Sequence, residues 1–129
     1  MNSKNKAKKI ISILNKFYPT TTSPLKYKNI FTFLISVLLS AQCTDKNVNN
    51  VTKNIYPNYY KPIHFVKLGK KKIQRLIKKI GIYRIKAKNI YYLSKKILLK
   101  HNGVIPRTFE ELEKLPGVGH KTASVVMSQ

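Results

Sequence analysis

Residues 112–125 read Leu112-Glu113-Lys114-Leu115-Pro116-Gly117-Val118-Gly119-His120-Lys121-Thr122-Ala123-Ser124-Val125. Two glycines around one valine, set behind a proline, mark a tight hairpin. Gly117 and Gly119 admit backbone angles closed to other residues and let a ligand approach the main chain. Lys121 opens the helix that follows, and a helix start carries N–H groups without intrahelical partners, a natural seat for a phosphate. The positive end of the helix dipole also favours the neutral, nucleophilic form of an amine over its ammonium. Upstream, Thr108 and Glu111 have capping-box spacing and predict a short helix holding Leu112 and Leu115. The pattern at about 108–129 is therefore helix, hairpin, helix, with the last helix running from about His120 to Gln129.

The rest of the chain also reads as helices. Ala7, Ile10, Ile11, Leu14 and Phe17 recur at helical spacing, and Tyr18-Pro19, the threonines and Pro24 break the pattern. An N-terminal helix over 1–18 and a linker over 19–29 are expected. Residues 30–41 are apolar nearly all round and predict a central buried helix. Thr44 or Asp45 then caps a helix carrying Val48, Val51 and Ile55 that ends before Pro57. Ile73, Leu76, Ile77 and Ile80 form the next stripe, amid lysines, with Gly81 as its stop. A longer helix carries Ala87, Ile90, Tyr91, Ser94, Ile97 and Leu98, and Asn102-Gly103 supplies its C-terminal stop.

Composition narrows the partner. The chain has 129 residues, 43% of them hydrophobic, and a net charge of +22. That much charge suits a polyanion, nucleic acid before an acidic membrane surface. Residues 1–109 hold 24 of the 26 Lys and Arg against Asp45 alone, whereas Glu110, Glu111 and Glu113 cluster before the hairpin. Lys outnumbers Arg by 23 to 3 beside abundant Ile, Asn and Tyr, so A/T-rich codons account for part of the excess. A single cysteine, Cys43, excludes an intrachain disulfide and any all-cysteine zinc or iron–sulfur site within these residues. His64, His101 and His120 lack metal-ligand spacing, so no metal site is expected. The run from Ile30 to Ala41 is too short for a span of about 20 residues. A cytoplasmic, nucleoid-associated setting is expected.

Four segments in order carry a family resemblance. The Leu-Pro-Gly-Val-Gly hairpin with Lys121 resembles the helix-hairpin-helix of the endonuclease III DNA glycosylases. Leu38-Leu39-Ser40-Ala41-Gln42-Cys43-Thr44-Asp45 resembles that family's Leu-Leu-Ser-Ala-Gln-x-Thr-Asp signature. Ile80-Gly81-Ile82-Tyr83 with Lys86-Ala87, and His101-Asn102-Gly103 with Pro106, resemble two more of its segments. The resemblance runs from about residue 4 to Gln129.

The resemblance implies an all-α fold. Residues 30–129 would form the six-helix barrel domain, and 1–18 would be the remnant of an iron–sulfur lobe that is otherwise missing. It implies base-excision repair: a bifunctional N-glycosylase that removes oxidised pyrimidines from double-stranded DNA and cleaves abasic sites by β-elimination. Lys121 would be the catalytic amine that forms a Schiff base. DNA contacts would come from Gln42, filling the space of a flipped nucleotide, from Ile82 as an apolar wedge, and from Leu115, Gly117, Val118 and Gly119 of the hairpin. The family also carries a [4Fe-4S] cluster on four cysteines and an assisting aspartate in a Val-Asp-Thr-His segment beyond the lysine. None of these occurs in this chain, so a C-terminally truncated product is expected, monomeric if folded, with apolar surface exposed on residues 7–17 and the last helix.

The residues by themselves leave simpler readings open. Lys121 also reads as a solvated lysine or a plain phosphate contact, Gln42 as a helix-end amide bonded to backbone, and Ile82 as a core residue. The hairpin glycines also read as a mere helix–helix turn. Cys43 reads as a small buried hydrophobe, and Asp45 as a helix cap rather than an acid–base group. Two other functions compete: an impaired DNA-binding remnant of the enzyme, and a monofunctional adenine glycosylase relative. The latter fits less well, since those relatives usually lack an amine at the Lys121 position and place a catalytic glutamate before the buried glutamine.

Overall fold

The computed structural model describes residues 24–129. The expected helix over 1–18 and residues 19–23 of the linker lie outside the described residues. Six helices and no strand occur among those described: α1 Ile30–Ser40, α2 Asp45–Thr52, α3 Pro62–Leu76, α4 Tyr83–Lys100, α5 Phe109–Glu113 and α6 His120–Met127.

α1 is the hub. Its near-continuous apolar sequence leaves no face suited to water, and it packs against α2, α4 and α6. Leu34 near its centre and Leu39 in its last turn are fully buried. Asn29 starts it with a reciprocal box, accepting from the Thr32 N–H at 2.8 Å while the Thr32 hydroxyl accepts from the Asn29 N–H at 2.8 Å. Thr32 and Ser36 are buried on this helix and need partners: the Thr32 hydroxyl finds them in the main chain of Lys28 and Asn29, and Ser36 in Tyr56. The Tyr56 hydroxyl donates to the Thr32 carbonyl at 2.9 Å and meets the Ser36 hydroxyl. Burial pushes that phenol well above the usual tyrosine range.

Thr44, rather than Asp45, caps α2, accepting from the Asn47 N–H at 3.1 Å. Asp45 sits in the first turn, where the helix dipole favours a carboxylate. The helix ends at Thr52, earlier than expected, and Ile55 reaches the core from a turn in which its N–H donates to the Thr52 carbonyl at 2.9 Å.

α3 differs most from the sequence reading. It begins at Pro62, where proline needs no N–H partner, and the His64 Nδ1 accepts from the N–H groups of Tyr60 and Lys61 at 3.1 and 3.3 Å. Its first half, which no apolar stripe announces, carries Phe65 into the core. Gly69 then breaks it, with φ 80° and ψ 162°. The helix closes at Leu76, so Ile77 and Ile80 are buried from turns rather than from a helical face running to Gly81. The apolar stripe marks burial correctly and conformation only in part.

α3 packs lengthwise on α4. The expected stop at Asn102-Gly103 is present: both residues have positive φ, and the Gly103 N–H returns to the Ile97 carbonyl at 3.0 Å. Thr108 caps α5 by accepting from the Glu111 N–H at 3.2 Å. The reciprocal half of that box is absent, because the Glu111 carboxylate lies toward Lys114 at 3.6 Å. Leu115 falls just beyond α5 and is buried.

The hairpin between α5 and α6 rests on α4. Gly117 has φ 80°, and a Cβ there would stand 2.9 Å from the Asn89 side-chain nitrogen. Two independent constraints therefore require glycine.

Gly69→Ala is expected to lower stability by about 1–3 kcal/mol through backbone strain alone, since open space surrounds its Cβ position. Gly81→Ala, with no such angle, is expected to fall within about 0.5 kcal/mol of wild type. Urea unfolding of the two variants measures both. For Gly117→Ala, adding Asn89→Ala should recover the steric part of the loss but not the part due to φ, leaving a deficit of about 1 kcal/mol or more in the double variant.

Candidate functional site

Three chain turns adjoin the hub helix or the helices packed on it: the residues after the C-terminus of α1, the residues before α4, and the hairpin before α6. Each presents one of the residues singled out by sequence.

The hairpin closes through the Leu115 N–H to the Leu112 carbonyl at 3.0 Å and the Val118 N–H to the Leu115 carbonyl at 3.1 Å. Leu115 and Val118 are 2% and 5% exposed, so both their side chains and their N–H groups are committed to the fold. They shape the turn and do not face outward. Pro116 has no N–H. The outward donors are thus the main chain of Gly117 and Gly119 and the first turn of α6, which no side chain caps. Val118 acts as the anchor that holds this donor set in place.

Lys121 lies in that first turn, exposed, with no carboxylate within ion-pair distance among the described residues. The acids before the hairpin are already engaged. Glu113 meets His120 at 3.3 Å, Glu110 and Glu111 meet Lys114 at 3.6 Å, and Glu111 also stands 3.8 Å from His101. His120 also stacks on Phe109 with ring centroids 5.1 Å apart. The acidic cluster before the hairpin is therefore turned onto neighbouring basic side chains. Lys96 steadies the same corner by donating to the Lys114 carbonyl at 2.9 Å.

Gln42 and Ile82 form a matched pair. Both are exposed, and both have left-handed backbone, with φ 56° and φ 57°. This conformation is uncommon for any residue with a Cβ and an outlier for a β-branched one. The core reading of Ile82 is overturned: it is 51% exposed, among the larger apolar side chains left facing water. The helix-end reading of Gln42 gains no support either, since its side chain makes no hydrogen bond among the described residues. A cost of about 1–3 kcal/mol per strained residue persists only where the surroundings over-determine it.

Two residues to which the sequence assigns no role of their own supply those surroundings. The first is Lys86, 7% exposed, whose Nζ donates to the Leu39 carbonyl at 3.0 Å and the Ala41 carbonyl at 2.6 Å. Desolvation holds its ammonium below the ordinary lysine value, while the nearby Cys43 thiol pulls the other way. The second is Asn47, whose side-chain amide reaches the Cys43 sulfur at 3.1 Å and the Lys79 carbonyl at 3.3 Å. Only the Lys86-Ala87 pairing hints at this in the sequence, because a lysine beside core residues is otherwise read as solvated. Cys43 is half-buried and engaged by Asn47, in keeping with a packing role.

Beside the Asn47 bridge lies a cleft of ≈ 1010 Å³ lined by Asn47, Asn50, Asn54, Lys53, Arg75 and Lys79, with no acid on its walls. Groups of three or more His, Cys, Asp or Glu able to hold a metal ion are absent among the described residues. With one cysteine in 129 residues, the chain cannot supply four thiolates, so its residues do not fit a [4Fe-4S] cluster. No helix among the described residues is long and apolar enough to cross a membrane.

Known proteins share this arrangement. The family model of the HhH-GPD superfamily base excision DNA repair proteins matches residues 35–126. Endonuclease III of Rickettsia prowazekii is 44% identical over 120 residues, covering 93% of this chain and 57% of the relative. Endonuclease III of Escherichia coli strain K12 is 43% identical over 126 residues, covering 96% of this chain and 60% of the relative. This chain thus spans less than two thirds of the length of these relatives. Among solved structures, a trapped endonuclease III–DNA covalent intermediate with an estranged adenine superposes with a TM-score of 0.80 at 42% identity, covering 97% of this chain and 59% of that one. A non-covalent endonuclease III–DNA complex gives 0.80 at 41% identity, covering 98% and 59%. With its helices, hairpin and turns in the order and form of these proteins, the chain belongs to the HhH-GPD superfamily of base excision DNA repair proteins, as an endonuclease III homologue.

Proposed function

We propose that this chain acts on double-stranded DNA at oxidised pyrimidines and abasic sites, as a glycosylase and β-elimination lyase with Lys121 as nucleophile. The observation that carries the reading is the position of Lys121. It stands in the uncapped first turn of α6, beside the outward N–H groups of Gly117 and Gly119, on a helix packed against α1. A phosphate held by those N–H groups brings the sugar of a flipped nucleotide to the amine.

The chemistry requires a free amine pair on Nζ. That pair forms a bond to C1′ of the sugar as the C1′–N bond breaks, and the base leaves with the bonding electrons and a proton. The nitrogen pair then forms the C1′=N bond as the C1′–O4′ bond breaks and O4′ takes a proton from water, which opens the ring and leaves an iminium between Lys121 and the sugar. Loss of a C2′ proton then sends its electron pair toward C3′, and the C3′–O bond breaks with the phosphate as leaving group. At a pre-existing abasic site the same iminium forms from the aldehyde with loss of water.

Gln42 and Ile82 do the mechanical work. A flipped nucleotide leaves a hole in the stack that costs a few kcal/mol. The glutamine amide both donates and accepts, so it faces any orphaned base, while Ile82 fills space without a hydrogen-bond demand. The two endonuclease III structures compared above are complexes with DNA, one of them a covalent intermediate with an estranged adenine, and this supports the assignment. The cleft lined by Lys53, Arg75 and Lys79 offers cations and amides to the flanking phosphates, a contact that positions without reading sequence.

Borohydride trapping on a duplex with one abasic site tests the nucleophile. The expected result is a covalent protein–DNA adduct that disappears in Lys121→Ala while salt-sensitive binding persists. Binding with no adduct in the wild-type chain would leave only a DNA-binding remnant. Gln42→Ala and Ile82→Ala are each expected to lower the preference for an abasic-analogue duplex over undamaged DNA by about tenfold, or roughly 1.4 kcal/mol, with little change on undamaged DNA. Fluorescence-anisotropy titrations of both duplexes measure that ratio.

A further inference from the structure

Resting on the DNA reading above, we infer that Lys86 is a positioning residue that locks the Gln42 turn to the Ile82 turn, so that the two side chains enter DNA as one rigid wedge. α1 poses a packing problem: it is buried along nearly its whole length, and the carbonyls of its last turn have no helical partners. Water satisfies such groups at an exposed helix end. Here Leu39 is fully buried, and its carbonyl is instead met by the Lys86 ammonium at 3.0 Å.

The same ammonium reaches the Ala41 carbonyl at 2.6 Å, one residue before Gln42. That bond fixes the peptide plane that precedes the strained residue, and so bears directly on the φ of Gln42. At the other end, the Lys86 backbone N–H donates to the Ile82 carbonyl at 3.2 Å as the first i→i−4 bond of α4, which places the root of the lysine side chain one turn from Ile82. One residue therefore holds the carbonyls of both turns, through its side chain on one side and its main chain on the other. Among the described residues only one other non-glycine position has positive φ, Asn102, and it belongs to the ordinary stop of α4.

The tether is built for stiffness. The ammonium bridges a buried carbonyl and one at the surface, and letting go of the Leu39 carbonyl would leave that buried acceptor without a partner. Asn47 spans the same gap between Cys43 and Lys79, but from a more exposed position and over longer contacts. Lys86 is the stronger of the two ties. A lysine suits this place because a compact point charge with three donors meets two carbonyls from one atom.

The test uses Lys86→Met, which keeps the linear stem and removes the donor, and Lys86→Gln, which keeps a neutral donor on a shorter arm. The first readout needs no DNA. The Cys43 N–H donates to the Ser40 carbonyl at 3.0 Å and closes the Gln42 turn, so its hydrogen exchange reports the order of that turn. Exchange at Cys43 is expected to rise by about tenfold or more in Lys86→Met while exchange at Leu93 and Ile97, in the middle of α4, stays unchanged; Lys86→Gln is expected to fall between. Unchanged exchange at Cys43 in both variants would overturn the inference.

The second readout is a double-mutant cycle on the abasic-over-undamaged binding preference. If Lys86 acts through the wedge, Lys86→Met and Gln42→Ala each cost about tenfold and the double variant costs little more. Strictly multiplicative losses would show a merely structural lysine and overturn the inference. A wild-type chain with no abasic preference would instead sink the DNA reading itself, and with it the wedge, which separates the two failures.

Discussion

A helix surrounded by protein on every side must still satisfy the carbonyls of its final turn, and that requirement organises this molecule. α1 can be the hub only because a cation is buried at its C-terminal end. Without the Lys86 ammonium, the buried Leu39 carbonyl would be dehydrated and unpaired, at about 1–3 kcal/mol, while the Ala41 carbonyl, on an exposed residue, would turn to water. The desolvation that lowers the Lys86 pKa is the cost of this solution, and the two carbonyl bonds offset it. α2, α4 and α6 then close on α1, and each of the three exposed turns inherits its place from that contact.

Strain is concentrated where the fold meets its surroundings. Gln42 and Ile82 hold left-handed angles that the core has no use for, since neither side chain is buried. The hairpin shows the opposite arrangement. There the positive angle falls on Gly117, where a Cβ is also sterically excluded by Asn89, while Leu115 and Val118 drive apolar side chains inward. Backbone donors are best presented by glycine, and inserted side chains by residues that have one. The two kinds of turn therefore follow from what each must present.

Much of the fold is legible because burial and helicity coincide along most of the chain. The run at 30–41, the Thr44 cap, the Asn102-Gly103 stop and the hairpin each carry a local signal whose physical cause acts within a few residues. α3 is legible only in part. Its Pro62 start is followed by a stretch of mixed polarity before Gly69 resets the backbone, so neither half shows a long stripe, and the buried Ile77 and Ile80 continue the apolar period after the helix has ended. At the site, Lys121 and the glycines are readable from local chemistry. The strain at Gln42 and Ile82 is not, because no local signal marks it; at Gln42 the neighbouring Ala41 carbonyl is held by Lys86, 45 residues away in sequence.

The chain has 23 lysines, and composition treats them as one population. The structure separates at least three kinds. Lys86 is enclosed and spends its donors on main-chain carbonyls; Lys96 and Lys114 brace the corner beneath the hairpin; Lys121 is exposed at a helix start with no carboxylate to claim it among the described residues. The acids explain the difference. Three of the four stand before the hairpin on the surface, where their carboxylates lie toward Lys114, His120 and His101 rather than toward Lys121. An anion approaching the hairpin meets outward N–H groups and a lysine without an acidic partner rather than a neutralised surface. A basic composition accounts for general attraction to a polyanion; the pairing of the few acids accounts for where on the surface that attraction is left available.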